Sequence, residues 1–293
     1  MKKTDLFVII AREASVAVIF RRGPSRQILL IKWNMEDDTF EAGQWFRGNI
    51  YEHRSDLSPK GDLLVYSAVK HSRHSDPFYC WTAISKPPYF TALALWPDSG
   101  IWGGGGLFGS EDTVLMNHHE RELAEGFELK KLAVLPFAEH PHQDMSEPIY
   151  HARLLREGWM LKQQEANRKY THRNTAGWHN SALQVYHKCI SHENRCFVLR
   201  MQLNEVREQP QGDWCAVDHE IFDEKDNSLL KLPRTSWADW DSNVDLLFAE
   251  QGKLFRLPWN THEPFNKANA KELADFSSLK FEAKEAPDWA KRW

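Results

Sequence analysis

The sequence predicts an all-β chain assembled from repeated antiparallel meanders, and three observations carry that expectation. Short apolar runs rich in β-branched and aromatic residues recur between turn signals. Aromatic residues are abundant: 13 tryptophans, 16 phenylalanines and 7 tyrosines in 293 residues favour strands and sheet-on-sheet packing. A turn-plus-strand motif also recurs, which is the mark that repeat architectures leave in sequence.

Taken in order, Leu6-Phe7-Val8-Ile9-Ile10, Ser15-Val16-Ala17-Val18-Ile19-Phe20 and Gln27-Ile28-Leu29-Leu30-Ile31-Lys32-Trp33 read as strands, with a turn at residues 21–25. After the polar connection at 34–38, residues 39–48 continue the meander. Tyr79-Cys80-Trp81-Thr82-Ala83-Ile84 and Phe90-Thr91-Ala92-Leu93-Ala94-Leu95-Trp96 form the next pair, parted by Lys86-Pro87-Pro88, which cannot sit in a central strand. Gly103-Gly104-Gly105-Gly106 precedes Leu107-Phe108 and Thr113-Val114-Leu115-Met116; with no Lys-Ser/Thr after it, close backbone packing explains it better than phosphate binding.

Residues 117–180 are the least regular and predict a partly helical insertion. Leu132-Ala133-Val134-Leu135-Pro136-Phe137 reads as a strand, and Ser146 as the N-cap of a helix over about 147–168, weakened by Gly158. Strand character returns at 183–186, 196–201 and 214–217. Residues 248–256 form a hairpin turning at Glu250-Gln251-Gly252. Residues 276–293 hold one weak strand and an exposed tail at Pro287-Asp288-Trp289-Ala290.

The recurring motif is Asp56-Leu57-Ser58-Pro59-Lys60-Gly61-Asp62-Leu63-Leu64-Val65-Tyr66, a proline and glycine turn running into an apolar strand. Asp239-Trp240-Asp241-Ser242-Asn243-Val244-Asp245-Leu246-Leu247 aligns with it without a gap, 183 residues on, or about four repeats of roughly 40–45 residues. Partial copies follow at residues 95–102, where Gly100 lies 39 residues after Gly61, and at Ala274-Asp275-Phe276, 36 residues after Ala238-Asp239-Trp240. In each, the aspartate is expected to accept hydrogen bonds from its turn. These residues resemble the blade motif of β-propellers of the WD40 and TolB-like kind, without the regular Gly-His and Trp-Asp dipeptides of true WD40 repeats. The resemblance implies a single propeller-like domain over residues 1–293, with five to six irregular blades and the insertion at 117–180, of bacterial look. It also implies a stiff, non-enzymatic platform that binds another protein at one face.

Composition excludes little else. A net charge of −4 and 27% charged residues provide no global field for nucleic acid or an anionic membrane. Cys80, Cys189, Cys196 and Cys215 show no metal or redox spacing, as in reduced cytosolic thiols, and the apolar run 6–11 is too short for a signal segment or a membrane span, so a cytoplasmic protein is expected.

Candidate chemistry is sparse. His118, His119, His140 and His142 cluster in sequence as possible metal ligands for a hydrolase or lyase at a channel mouth, although no H-E-x-x-H spacing is present and Pro141 argues for a loop. Asp218-His219-Glu220 places a histidine between acids, but adjacent strand residues face opposite sides. Asp239, Asp241 and Asp245 belong to the repeated turn. Trp96, Trp102, Trp178, Trp237 and Trp240 lie near expected turns, where they can stack a sugar or nucleotide or pack between neighbouring sheets. No catalytic residue and no cofactor is assigned.

Overall fold

The computed structural model describes residues 4–23, 26–70, 79–98, 103–117, 122–137, 147–164, 183–192, 195–204, 216–259 and 265–293. The chain is all-β: twenty strands in five sheets among the described residues, taken up in sequence order. It divides into two compact units, Met1–Arg153 with Ser278–Trp293, and Leu154–Ser277.

The first unit holds three sheets. Strands β1 (Asp5–Ile10), β2 (Val16–Arg22), β3 (Gln27–Asn34) and β4 (Thr39–Arg47) form an antiparallel meander, as do β5 (Asn49–Leu57), β6 (Leu64–Val69), β7 (Cys80–Ser85) and β8 (Ala92–Asp98). The third sheet has β9 (Gly106–Ser110) antiparallel to β10 (Thr113–Met116), and β10 parallel to β11 (Ala133–Pro136). In the second unit, β12 (Met160–Gln164), β13 (Leu183–His192), β14 (Arg195–Asn204), β15 (Ala216–Asp223) and β16 (Ser228–Leu232) form one meander. The other comprises β17 (Trp237–Trp240), β18 (Leu246–Glu250), β19 (Lys253–Leu257) and β20 (Lys271–Asp275).

Burial explains why the apolar runs are continuous rather than alternating. β6 and β7 are buried at every position, and Ala17, Val18, Ile19 and Phe20 of β2 are at most 2% exposed, so the inner strands are covered on both faces. The outermost β4 and β20 are mostly half-buried or exposed and correspondingly polar. Successive meanders with covered inner strands are how propeller blades are built.

The two full motif copies occupy equivalent places, the hairpin between the first and second strands of a four-stranded sheet. Gly61 N–H donates to Ser58 O at 2.9 Å and Val244 N–H to Asp241 O at 3.2 Å, and both donors lie at positive φ, 81° and 70°. Two expectations are corrected. Asp241 is a turn acceptor as expected, taking the N–H groups of Asn243 and Asp245, but in the first copy that role falls to Ser58, taking those of Asp62 and Leu63. Asp56 and Asp239, two residues earlier, reach other sheets: Asp56 Oδ2 accepts from Phe108 N–H of β9 at 2.7 Å, and Asp239 Oδ1 pairs with Lys188 Nζ of β13 at 2.6 Å. The partial copies are not equivalents, since Asp98 and Asp275 end the fourth strands of their sheets.

The first hairpins of the three sheets in unit 1 interlock. Glu13 N–H donates to Pro59 O, the Glu111 carboxylate accepts from Lys60 N–H and Ser58 Oγ, and the Arg12 guanidinium donates to Phe108 O. Gly61 fits here because a Cβ would meet Val16 Cγ1 at 3.0 Å.

The helix is shorter than the sequence predicts. Helix α1 (Pro148–Arg156) ends where Gly158, at φ 87°, donates to Leu155 O and Trp159 N–H donates to Leu154 O, a Schellman stop that only an αL residue completes. β12 follows where the sequence predicts further helix. The C-terminal segment is no free tail either, and it carries no strand after β20. Ala286 and Ala290 are buried, Lys86 Nζ donates to the carbonyls of Trp289 and Arg292, and Trp293 Nε1 donates to Glu128 O, while the Trp289 ring stays 53% exposed.

Candidate functional site

The sharpest departure from regular sheet geometry is in β5. Tyr51 pairs with Ser67 and Asp56 with Val65, so residues 52–55 face the single residue Tyr66 in a wide bulge. Bulges re-aim side chains and gather at sites of function. Here Glu52, His53, Arg54 and Ser55 leave the ladder, and Ser55 Oγ closes the loop by donating to Tyr51 O at 2.9 Å.

Each displaced group meets a partner from another element. Arg22 of β2 pairs with Glu52 and donates to Ile50 O. Arg54 pairs with Glu147 at 3.2 Å, donates to Gly103 O at 2.9 Å and lies over the Tyr51 ring. His53 stacks on Tyr150 of α1 with centroids 4.2 Å apart and planes 4° from parallel, with Phe7 of β1 at 5.2 Å. Arg153 of α1 donates to the carbonyls of Glu52 and Ser55 and lies over the rings of Phe7 and Tyr150. The glycine run packs directly on the bulge: Gly105, at φ 82°, lies so close that a Cβ would sit 2.1 Å from Arg54 O, and its N–H donates to Thr82 Oγ1 at 2.7 Å.

Electrostatics follow from burial and this pairing. Burial pushes the His53 imidazole down, against the pull of Glu52 and Glu147, so the ring is neutral near pH 7. Burial would push the Glu52 carboxyl up, but Arg22, by its charge and its hydrogen bond, holds it below its usual range. These ion pairs, ring contacts and bonds to backbone carbonyls clamp β1, β2, β5, the glycine run and α1 together.

His118, His119, His140, His142, Trp102 and Trp178 lie outside the described residues. Among the described residues no group of three His, Cys, Asp or Glu is arranged to hold a metal ion. Trp96 is 2% exposed in a core cluster with Val65, Ile84 and Phe108, so its ring offers no face for stacking a ligand. Trp237 is half-buried at the start of β17. Trp240, 6% exposed, packs on Phe265, which also meets Trp259 and Phe197. Trp96 and Trp240 are core residues.

Asp218-His219-Glu220 splits as strand alternation requires. Asp218 accepts from Arg234 N–H, Glu220 pairs with Arg200, and His219 points inward, 2% exposed. Burial pushes its imidazole down to about 3, with the Thr235 backbone opposing weakly. The unfolded chain protonates it near pH 6.5 and the folded one does not. Stability therefore falls as pH drops from about 6.5 to about 3, by up to ~1.4 kcal/mol per pH unit. A loss of about 2 kcal/mol between pH 7 and pH 5 is expected in urea melts, and His219→Met should flatten that acid limb.

A second feature leaves no signal in the sequence, the open edge of the third sheet. β11 is its last strand, and Leu135 is 49% exposed. Ala133 N–H donates inward to Asp112 O. Alternation then turns Leu135's backbone groups inward as well and those of Val134 outward, where no strand among the described residues pairs with them. Leu135 lies opposite Leu115, which packs on the cluster of Leu107, Phe137, Ile149 and Ala152, so the apolar face runs out to the edge.

No protein-family model and no curated protein matches the chain. Among solved structures it is similar to an uncharacterised protein of Listeria monocytogenes, at 8% identity and a TM-score of 0.26 over 87% of this chain and 62% of that one. It is also similar to the β-propeller domain of the trilobed protease of Pyrococcus furiosus, which has an open velcro topology, at 8% identity and a TM-score of 0.31 over 95% of this chain and all of that one. At such scores the fold rests on the strand pairing of this chain itself. No helix among the described residues is long and apolar enough to cross a membrane.

Proposed function

We propose that the chain is a propeller-type interaction module, non-enzymatic and cytoplasmic, whose docking surface is the β11 edge and whose partner is a protein. The observation that carries this reading is the combination of an outward-facing Val134 backbone with a half-exposed Leu135 at the outer strand of a sheet that has three strands among the described residues. An extended partner segment fits there by adding a strand, its backbone pairing with Val134 and its alternate side chains resting on Leu135. β11 is short and ends in Pro136, so backbone pairing supplies few bonds and the Leu135 contact has to carry specificity. The successive meanders and the recurrence of the motif in equivalent hairpins support blades of the WD40 or TolB kind. The bulge of β5 supports the non-enzymatic reading, because its ionisable groups serve as a clamp.

Val134→Pro is a selective test. Proline removes the outward N–H and spares the bonds to β10, which alternation gives to Ala133 and Leu135, while trimming the packing of Val134 on the cluster around Val65 and Phe108. Peptides selected on the native protein from a displayed library of extended sequences should lose at least about tenfold in affinity for Val134→Pro and for Leu135→Lys, a difference of about 1.4 kcal/mol or more. Peptides that bind all three proteins equally would place the docking surface elsewhere.

A further inference from the structure

The outer face of the five-stranded sheet carries a pair of thiols that the clamp and the edge do not use. In the β13–β14 pairing Cys189 lies opposite Val198 and Ser191 opposite Cys196. Alternation therefore puts Cys189, Ser191, Cys196 and Val198 on one face, and Phe197, fully buried, on the other. Cys189 is exposed and Cys196 half-buried, both are free, and the two are diagonal neighbours across the strands, each within electrostatic reach of the other. Cys196 also borders a concavity of about 230 Å³ lined by Arg195, Phe197, Asp223, Glu224, Lys225 and Asn227.

We propose that Cys189 and Cys196 form a redox-active dithiol that exchanges with a small acidic disulfide of the oxidised-glutathione class, entering at Cys196. The concavity beside Cys196 holds Arg195 and Lys225 for the carboxylates of such a disulfide, and Asp223 and Glu224 for its ammonium groups. The Cys196 thiolate attacks one sulfur of the small disulfide; that S–S bond breaks, a mixed disulfide forms, and one small thiolate leaves. Cys189 gives its proton to solvent and attacks Sγ of Cys196, and the second small thiolate leaves. Two protein thiols are oxidised and one small disulfide is reduced to two thiols. Partial burial, and next the neighbouring Cys196, push the Cys189 thiol up, with Lys162 of β12 opposing, which suits it to the second step rather than the first. Diagonal cross-strand neighbours lie about 7–8 Å apart at Cα, beyond the ~6.8 Å that a relaxed disulfide spans, so closing the bond draws the two strands together and leaves it strained and readily reduced. That makes the exchange reversible.

The test incubates the full chain with oxidised glutathione and maps its cysteines by mass spectrometry without reduction. The native protein should yield a Cys189–Cys196 link that added reduced glutathione reverses. Cys189→Ser should stop at a glutathione adduct on Cys196, and Cys196→Ser should leave Cys189 at least tenfold slower to react. The proposal is overturned if the native protein accumulates the adduct without the link, if Cys196 stays unmodified in Cys189→Ser, or if the two variants react at equal rates.

Discussion

Gly105→Ala is expected to destabilise the first unit by more than about 4 kcal/mol, enough to leave much of the chain unfolded at ambient temperature. Two effects combine. The position lies at φ 82°, where a Cβ costs about 1–2 kcal/mol by itself, and the added carbon would sit 2.1 Å from Arg54 O, 2.6 Å from Arg54 Cβ and 2.9 Å from Arg54 C. Backbone cannot step aside there without breaking the bulge that positions Glu52, His53 and Arg54. Gly126 separates the two effects: its φ is 86°, but nothing lies within 4 Å of where an alanine methyl would stand, so Gly126→Ala should cost only about 1 kcal/mol in the same urea melts. Equal costs at the two positions would mean that the close approach to the bulge adds nothing to stability.

Asp56→Ala is expected to cost about 3 kcal/mol, because it strips a charged acceptor from a fully buried N–H. Asp56 is 0% exposed and Phe108, its partner across to the next sheet, is also 0% exposed, so water cannot replace the lost bond. Asp56→Asn keeps an acceptor and should lose about 1 kcal/mol. Were Asp56 the cap of its own turn, as its place in the motif suggests, Asp56→Ala would cost no more than a lost surface cap. That smaller loss belongs instead to Ser58→Ala, since Ser58 Oγ holds both the Asp62 and Leu63 N–H groups.

These two residues also mark how far the sequence speaks. Apolar runs such as Val16-Ala17-Val18-Ile19-Phe20 are long enough, and bounded clearly enough, that the strands and their order follow from pattern alone. The recurrence at residues 56–64 and 239–247 reflects one hairpin used twice, down to the positive φ of Gly61 and Val244. Which aspartate serves the turn is not legible, because Ser58 and Asp241 differ in type while Asp56 and Asp239 agree, and agreement there comes from reaching neighbouring sheets. Gly158 does signal the stop of α1, since its αL conformation ends a helix. The bulge of β5 leaves no local signal: Glu52-His53-Arg54-Ser55 reads as an ordinary polar strand edge, and only partners far along the chain, Arg22, Glu147, Tyr150 and Arg153, explain it. The C-terminal segment is illegible for the same reason, its anchors at Lys86 and Glu128 being distant in sequence.

The β11 edge is likewise a fact of pairing rather than composition. Leu132-Ala133-Val134-Leu135-Pro136 predicts a strand, and nothing in it says that on one side no strand among the described residues pairs with it. The most direct measurement is photo-crosslinking from a reactive amino acid placed at position 135 of the full chain, in extract of the native host, with a second placement at the exposed Trp289 as reference. Strand addition at this edge predicts crosslinks from position 135 to a single extended segment of one protein, lost when Val134→Pro is added and absent from position 289. Crosslinks that survive Val134→Pro, that appear equally from both placements, or that fail to form from position 135 would contradict it.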